Sequence, residues 1–305
     1  MSTLEGVFPV LPTPFAPDGS IDRSAFAGLV DFVVASGADG VVFPGMASEV
    51  EKLTPDERAL LVADLGKHIA GRVPIIVGAS AATPEAAAAF AEEGRKVGAV
   101  AAMVMAPASC GQDIAAHIAF YGAIAAKTGI ALMLQNAPSP MGAGLAPEAV
   151  AKIVLAVPAI RYVKEETLPC GQHVTKIKAL AGDRLAGVFG GAGARYVIDE
   201  LARGAHGTMP ASELADVHVA LMRAWRGGDK KRARGLYSRT LPLLLFQAIF
   251  RVRATKTLLR MRGLLACDVA RAAGPELDAG DRIEFAALAA EAADLFQVHP
   301  LQRDI

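Results

Sequence analysis

Short apolar runs alternate with longer alanine-rich runs along most of this sequence. The apolar runs have the length of β-strands, and the alanine-rich runs have helical spacing. The predicted strands are Gly6–Pro12, Gly40–Pro44, Val73–Gly78, Ala101–Ala106, Ile130–Gln135, Ile160–Glu165, Leu185–Phe189 and Gly207–Pro210. The predicted helices between them are Arg23–Ser36, Pro55–Ala70, Pro84–Val97, Ile114–Thr128, Pro147–Ala156, Val174–Ala181 and Ala194–Arg203. Apolar strands that are each followed by a helix are typical of a parallel sheet, so the alternation predicts an α/β fold.

Eight strand–helix units within about 225 residues predict a closed (β/α)8 TIM barrel. The alternative is an open, doubly wound sheet, which carries a G-x-G-x-x-G turn after its first strand in nucleotide-binding proteins. No such turn follows the first predicted strand. The glycine-rich segment Gly190–Gly193 follows the seventh strand instead, where it favours a tight turn or a close approach of the backbone to a ligand.

The chain continues beyond the eighth strand as a helical tail. The predicted helices there are Glu213–Arg226, Asp229–Phe246, Ala248–Arg262 and Asp281–Phe296. The first of them completes the barrel, and no linker rich in Pro, Ser or charge precedes the others. We therefore expect one barrel over residues 1–226 and additional C-terminal helices, residues 227–305, that pack on it.

Charge and cysteine content narrow the function classes. The chain has 31 basic and 31 acidic residues, so no global field attracts nucleic acid or a membrane surface. The basic stretch from Arg223 to Arg262 lacks the aromatic or loop elements of a nucleic-acid surface, and we interpret it as a solvated or intersubunit face. Cys110, Cys170 and Cys267 are far apart in sequence, which predicts neither a disulfide framework nor a zinc site and fits a reducing cytoplasm.

Neither a secretory signal nor a membrane span is expected. The first residues lack a basic segment followed by a long apolar stretch. The longest apolar run, from Leu241 to Phe250, contains Pro242 and Gln247 and is too short to cross a bilayer. We therefore expect a cytoplasmic protein with no membrane partner.

Lys164 has the most specific chemistry in the sequence. It lies near the end of the predicted strand Ile160–Glu165, beside Tyr162 and Val163. Burial of a lysine favours its neutral amine, and a neutral amine can attack a ketone to form a Schiff base. Considered alone, the same run is also compatible with a surface lysine at a strand end.

The C-terminal ends of the strands form the active-site face of such barrels, so their residues are the candidates for one site. Apart from Lys164, the charged groups there are the carboxylates of Glu49, Glu165 and Glu166. No histidine pair or acidic cluster suits a metal, and no Ser–His–Asp set is present, so neither a metal nor a cofactor is predicted. One amine among small polar groups suits imine chemistry. The segment Gly45–Ser48 offers backbone N–H groups and a hydroxyl to the carboxylate of a 2-oxo acid.

Four motifs resemble those of the dihydrodipicolinate synthase / N-acetylneuraminate lyase family of class I aldolases and dehydratases. They are the turn Gly45–Glu49, Asn136-x-Pro138, Val163-Lys164-Glu165 and the glycines after the seventh strand, and the resemblance covers nearly the whole chain. It implies a (β/α)8 barrel with C-terminal helices and a homotetramer, or a homodimer. It also implies that Lys164 forms the Schiff base and that Ala47 and Ser48 hold the carboxylate of the small-molecule substrate.

The chain departs from the family at the positions of a proton relay. Members that make dihydrodipicolinate carry a threonine at the position of Met46 and tyrosines at the positions of Ser109 and Gln135. They also carry an arginine for the second substrate where this chain has Pro140. These differences argue against the synthase reaction, and the loss of the tyrosine at Gln135 argues against N-acetylneuraminate cleavage.

Other segments are more similar to the branch of the family that dehydrates 2-keto-3-deoxy sugar acids such as L-2-keto-3-deoxyarabonate. They include Met133–Pro138, Lys164–Thr167, Leu241–Leu243 and Thr255-Lys256. The hypothesis is that Lys164 condenses with C2 of such an acid, that a C3 proton is removed, and that the C4 hydroxyl then leaves.

The acid–base residue of this reaction stays open between several groups. Glu49, Ser48 and Glu166 are candidates by position, and a bound water or the substrate carboxylate could replace them. Strand alternation would place Glu166 on the inward face with Lys164. The predicted catalytic residues are Lys164, Gln135 and Glu49. The predicted substrate-binding residues are Gly45, Ala47, Ser48, Asn136, Glu166, Gly190 and Gly191.

Three other functions stay open. A pyruvate-releasing aldolase would share every step up to the enamine, and a dihydrodipicolinate synthase-like condensation would use the same amine. A barrel that binds a 2-oxo acid or a sugar acid without turnover is the alternative outside enzymes.

Overall fold

The structure is a computed structural model that describes residues 4–302, and within them it contains eight strands and eleven α-helices. The strands are β1 (Gly6–Val7), β2 (Val41–Phe43), β3 (Ile75–Gly78), β4 (Ala99–Met105), β5 (Ala131–Asn136), β6 (Ile160–Glu165), β7 (Gly187–Gly190) and β8 (Gly207–Thr208). The helices are α1 (Arg23–Ala35), α2 (Pro55–Ile69), α3 (Pro84–Lys96), α4 (Ile114–Thr128), α5 (Pro147–Ala156), α6 (Cys170–Ala181), α7 (Val197–Ala202), α8 (Ala215–Arg226), α9 (Lys230–Phe250), α10 (Val252–Met261) and α11 (Ala279–Glu291).

The strands form one sheet in the order β1-β8-β7-β6-β5-β4-β3-β2. The pairs from β3 through β8 are parallel. Val10, which follows β1, bridges in parallel to Val42 of β2 and to Ala211 after β8. This strand order and this closing bridge are those of a (β/α)8 barrel, so the predicted α/β fold, a TIM barrel with additional C-terminal helices, is confirmed.

The chain divides into two compact units. The first comprises Pro74–Met209 together with the described residues before Val7. It holds the strands from β3 to β8, and the strands from β4 to β7 are buried along most of their length. In this unit Lys164 on β6 lies in register with Gln135 on β5 and Phe189 on β7.

The second unit comprises Val7–Val73 and the chain from Pro210 onward. Its C-terminal helices share one apolar core with the segment that begins α8. The core includes Leu214, Val217, Leu243, Leu244, Phe250, Leu258, Phe285 and Phe296. The predicted domain boundary between residues 226 and 227 stays a prediction. Across residues 4–302, each helix is either too short or too polar to cross a bilayer.

Several predicted element boundaries are wrong. The first strand ends at Val7 rather than Pro12, because Pro9 and Pro12 have no N–H group for the ladder. α6 begins at Cys170 rather than Val174, and Gly171 in its first turn lies so close to Asp199 that an added Cβ would be 1.8 Å from the carboxylate.

Helix α9 extends to Phe250, beyond the predicted end at Phe246, although Pro242 lies inside it. The rings of Phe246 and Phe250 stack with centroids 5.7 Å apart. Phe246 also packs against Phe285 on α11, with centroids 5.4 Å apart. These ring contacts stabilise the last turn of the helix, so α9 continues past the end that the sequence predicted.

Candidate active site

Lys164 is buried at the C-terminal end of β6, with 5% of its surface exposed. The neighbouring residues on the strand, Val163 and Glu165, point to the opposite face because side chains alternate along a strand. Glu166, two residues further on, returns to the face of Lys164. The predicted alternation therefore holds, and the Nζ atom of Lys164 lies 3.3 Å from Oε1 of Glu166.

The carboxylate of Glu166 is held by three groups of the same unit: the amine of Lys164, the amide of Gln135 and the backbone N–H of Ala192. Its Oε2 accepts a hydrogen bond of 2.6 Å from Nε2 of Gln135, and its Oε1 accepts one of 3.1 Å from the backbone N–H of Ala192. Burial alone would raise the pKa of Glu166. The Lys164 charge and the hydrogen bonds from Gln135 and Ala192 outweigh burial and hold that pKa below its ordinary value. Glu166 is therefore a carboxylate in the resting site.

The two predicted glycines of the seventh strand make room for glutamates. A Cβ on Gly191 would lie 2.5 Å from Cγ and Oε1 of Glu166. A Cβ on Gly190 would lie 1.8 Å from Oε2 of Glu200 on α7. Both distances are far shorter than a van der Waals contact. Only glycine at these two positions therefore leaves room for the carboxylates of Glu166 and Glu200 where they lie. Their predicted role in substrate binding stays a prediction.

Glu165 forms a separate network with Asn136 on the opposite face of β6. Its Oε2 accepts a hydrogen bond of 2.8 Å from Nδ2 of Asn136, and its Oε1 accepts bonds from the backbone and hydroxyl of Thr167. Asn136 also donates to the Leu145 carbonyl and accepts from its N–H, both at 2.9 Å. Asn136 is fully buried, so this geometry favours a structural role over the predicted contact with substrate.

Two buried acids of the first unit carry raised pKa values. Burial raises the pKa of Glu165 to about 7, against the opposing hydrogen bonds from Asn136 and Thr167. Burial, with the negative charges of Glu166 and Asp199, raises the pKa of Glu200 to about 8. Glu200 is therefore mostly protonated at neutral pH, whereas Glu166 is ionised.

The turn Gly45–Glu49 belongs to the second unit and is built around the Ser48 side chain. The Ser48 hydroxyl donates to the Leu11 carbonyl at 2.5 Å and accepts from the Gly45 N–H at 2.8 Å. Ser48 is fully buried. The donor and an acceptor function of this hydroxyl close the turn itself, and its predicted contact with a substrate carboxylate stays a prediction. The backbone N–H of Ala47, in the first turn of the short 3-10 helix Met46–Ser48, is the better donor.

Glu49 was predicted as a catalytic residue, and the structure places it in a buried ion pair. Its Oε1 accepts a hydrogen bond of 2.5 Å from Nζ of Lys256, and neither side chain is exposed. Its Oε2 accepts a bond of 2.5 Å from the backbone N–H of Ala272. Both oxygens have charged or polar partners, which favours a structural role for Glu49 over proton transfer.

Sequence reasoning missed the roles of Glu200 and Lys256. Glu200 follows Val197 by three residues and precedes Leu201, so helical periodicity already placed it on the apolar face of α7. Lys256 pairs with Glu49, which is 207 residues away in the chain, and the sequence around Lys256 does not predict this partner.

Within residues 4–302, no group of three or more His, Cys, Asp or Glu side chains is arranged to hold a metal ion.

Comparison with known proteins identifies relatives along almost the whole chain. The model of the "Dihydrodipicolinate synthetase family" matches residues 3–292. L-2-keto-3-deoxyarabonate dehydratase from Azospirillum brasilense is 31% identical over 288 residues, which cover 93% of each chain. A 4-hydroxy-tetrahydrodipicolinate synthase from Maridesulfovibrio salexigens is 29% identical over 250 residues, which cover 79% of this chain and 82% of the relative.

The fold also matches solved structures. The crystal structure of dihydrodipicolinate synthase from Rhodopseudomonas palustris superimposes with a TM-score of 0.87 at 25% sequence identity. The match covers 94% of this chain and 97% of that structure, so it includes the C-terminal helices as well as the strands.

Proposed function

The chain belongs to the dihydrodipicolinate synthetase family of lyases, and from this premise we propose that it dehydrates a 2-keto-3-deoxy sugar acid through a Schiff base on Lys164. The family resemblance inferred from the sequence is confirmed. One observation carries the proposed chemistry: the amine of Lys164 contacts Glu166, and Gln135 donates to the same carboxylate. This arrangement combines a nucleophile with an acid–base group within reach of it.

The first proposed step is proton transfer from the Lys164 ammonium to Glu166, across the 3.3 Å between Nζ and Oε1. The neutral amine then adds to C2 of the 2-oxo acid and forms a carbinolamine. Glu166 returns its proton to the former carbonyl oxygen, which leaves as water, and a protonated imine remains. Desolvation favours the neutral amine, as expected from the sequence, and we propose that Glu166 removes its proton.

The second proposed step is elimination across C3 and C4 of the substrate. The protonated imine withdraws electrons from C3, so Glu166 can remove a C3 proton and leave an enamine. The enamine expels the C4 hydroxyl, which takes up the proton from Glu166 and leaves as water. Tautomerisation of the resulting conjugated imine then moves protons from C5 and its hydroxyl to C3 and C4, so that C5 becomes an aldehyde. Hydrolysis of the imine releases the semialdehyde and restores Lys164. One carboxylate therefore carries the protons of imine formation and of water loss in turn.

Gln135 has a positioning role in this proposal. An amide does not titrate near neutral pH, so Gln135 cannot replace the tyrosine of the family's relay as a proton carrier. Its Nε2 donor instead holds Oε2 of Glu166 at 2.6 Å, which leaves Oε1 beside the Lys164 amine. The acid–base function that the relay hydroxyls provide in dihydrodipicolinate-forming members is thereby assigned to Glu166.

We further propose that the turn Gly45–Ser48 binds the carboxylate of the 2-oxo acid. The backbone N–H of Ala47 is the assigned donor, because the Ser48 hydroxyl is occupied within the turn.

A homotetramer or homodimer and a cytoplasmic location also stay predictions. Light scattering of the purified protein tests the assembly.

A pyruvate-releasing aldolase is the second candidate, because it uses the same amine and carboxylate up to the enamine. Condensation of the dihydrodipicolinate synthase type has less support, since Met46 and Gln135 provide no hydroxyl at the relay positions. The relationship to L-2-keto-3-deoxyarabonate dehydratase, at 31% identity over 93% of both chains, supports dehydration.

Borohydride reduction in the presence of pyruvate tests the proposal. We expect a mass increase on the peptide that contains Lys164, and no adduct in Lys164→Ala. Lys178→Ala is the matched control, because Lys178 lies in the same unit but donates to the carbonyl of Gly204. A panel of 2-keto-3-deoxy acids then separates the two reactions: a semialdehyde product indicates dehydration, and pyruvate indicates cleavage. Wild-type protein without an adduct would reject imine chemistry and favour binding without turnover.

A further inference from the structure

The ion pair of Lys256 with Glu49 joins the C-terminal tail to the turn Gly45–Glu49. The two side chains are fully buried, and their atoms approach to 2.5 Å. Nζ of Lys256 also donates to the Val269 carbonyl at 2.7 Å and lies 4.2 Å from the ring centroid of Phe15. The ammonium therefore has an anion, a carbonyl and an aromatic face around it, which are the partners that a buried cation requires.

The tail holds the neighbouring segments at further points. Arg271 pairs with Glu57 at 2.7 Å, and its guanidinium also lies 4.2 Å from the ring centroid of Phe15. Sγ of Cys267 donates to the Phe15 carbonyl at 3.1 Å. Lys256 thus belongs to a set of tail residues that converge on Phe15 and the turn.

The backbone of the turn needs such support. Glu49 has φ 55° and ψ 39°, a left-handed conformation that is unfavourable for a residue with a side chain. The preceding residue, Ser48, is held by two hydrogen bonds. Its hydroxyl donates to the Leu11 carbonyl, and its own carbonyl accepts from the Thr13 hydroxyl at 2.7 Å. The Glu49 carboxylate is therefore the anchor that fixes the end of the turn against the tail.

Stability alone is a weak reason for this pair. Burial of two charges costs free energy that their attraction only offsets, and apolar side chains of similar volume often serve a core equally well. A buried ion pair does, however, restrict a segment to one conformation, because both charges must stay paired. The conformation restricted here is that of the turn assigned to the substrate carboxylate.

We infer that Lys256 is a positioning residue of the reaction, acting through Glu49 to hold the N–H groups of the turn Gly45–Ser48 in place for a substrate carboxylate. This inference rests on the proposed function. It assigns to helix α10 a specificity role: the preference of the enzyme for keto acids over ketones without a carboxylate depends on a residue of the C-terminal tail.

The test compares borohydride trapping of Lys164 by pyruvate with trapping by hydroxyacetone, a ketone without a carboxylate. We expect Glu49→Gln and Lys256→Met to raise the half-saturating pyruvate concentration about tenfold or more, as the loss of a charge-assisted contact implies. The half-saturating hydroxyacetone concentration should stay within about twofold of the wild-type value. The double variant Glu49→Gln/Lys256→Met leaves no unpaired charge, and it gives the same comparison if Lys256→Met does not fold.

Asp216→Asn is the matched control. Asp216 pairs with Arg262 at 2.7 Å, with side-chain exposures of 3% and 0%, in the same unit. Its replacement also leaves a buried cation without its carboxylate, but far from the turn in sequence. We expect it to destabilise the protein and to keep the pyruvate-to-hydroxyacetone ratio. An unchanged ratio in folded Glu49 and Lys256 variants, or an equal change in Asp216→Asn, would overturn the inference. Wild-type protein that is trapped by neither ketone would overturn the proposed function, and this inference with it.

Discussion

The Nζ atom of Lys164 lies 3.3 Å from Oε1 of Glu166, two residues further along the chain. The two side chains share a face because the strand alternates, and Gly191 makes room for the carboxylate. A charged amine cannot attack a carbonyl, so in the proposed mechanism a carboxylate at this distance accepts the proton that frees the nucleophile. The proposed nucleophile and base thus lie on one short segment, formed by β6 and the residue that follows it.

Glu166→Gln tests the base. The amide keeps the shape of the side chain but cannot carry a proton, so we expect kcat of dehydration to fall by about 10²- to 10⁴-fold. Trapping by pyruvate should persist at a lower rate, because water can accept the proton from the amine of Lys164 in place of the carboxylate. Glu148→Gln is the control, since Glu148 is an exposed acid that pairs with Lys176 in the same unit. Dehydration by Glu166→Gln at the wild-type rate would exclude the assigned role.

Gln135→Met tests how Glu166 is kept ionised. Its hydrogen bond of 2.6 Å is one of the causes that lower the pKa of Glu166. Without that donor the pKa of Glu166 rises, and a higher pH is needed to ionise the base. We therefore expect the acidic limb of the pH profile of kcat to move to higher pH. Gln112→Met, which removes a bond from Nε2 to the Ala143 carbonyl, should leave that limb in place.

Local signals predicted much of the fold and part of the site. β6 lies at Ile160–Glu165 as predicted, because Ile160, Tyr162 and Val163 are β-branched or aromatic residues that favour a strand. The position of Glu166 on the face of Lys164 followed from strand alternation alone. Boundaries that depend on packing were missed: Gly171 lies inside α6 because it contacts α7, and this contact has no local signature.

The partners of buried charges could not be predicted from the sequence. Glu49 was assigned to catalysis because it follows a strand end, but its environment is decided by Lys256, 207 residues away. The hydroxyl of Ser48 was assigned to the substrate, whereas the carbonyl of Leu11 occupies it. Such assignments require the three-dimensional arrangement, since any strand end with a polar residue gives the same signal.

Glu200 is expected to make stability fall as the pH rises. Its folded pKa of about 8 lies above the ordinary value of 4.5, so the folded state binds more protons than the unfolded state between these values. The stabilisation that Glu200 contributes is therefore greatest below the unfolded pKa, and it is lost as the pH rises toward 8. Between pH 6.5 and 8 the loss from this group is on the order of 1 to 2 kcal/mol.

Urea unfolding at pH 6.5 and pH 8 measures this effect. In this window His218, whose folded pKa of about 4 lies below its ordinary value of 6.5, adds a small rise in stability near pH 6.5. Glu165, with a folded pKa of about 7, adds to the decline at the acidic end of the window. We expect Glu200→Gln to remove most of the decline that wild-type protein shows. Glu148→Gln should retain the decline, because Glu148 is exposed and pairs at the surface. An equal decline in wild type and Glu200→Gln would show that Glu200 is ionised in the folded protein.

Alanine substitutions at Gly190 and Gly191 should separate stability from catalysis. At Gly190 the new methyl group would lie 1.8 Å from the buried Glu200 carboxylate, so we expect a loss of about 1 to 3 kcal/mol in the free energy of unfolding. At Gly191 it would lie 2.5 Å from Glu166, and displacement of that carboxylate from Lys164 should lower kcat at least about tenfold. Gly122→Ala is the control, because an added Cβ in α4 meets no atom within 4 Å and alanine favours a helix. Equal kcat values for the Gly190 and Gly191 variants would mean that the place of Glu166 does not limit turnover.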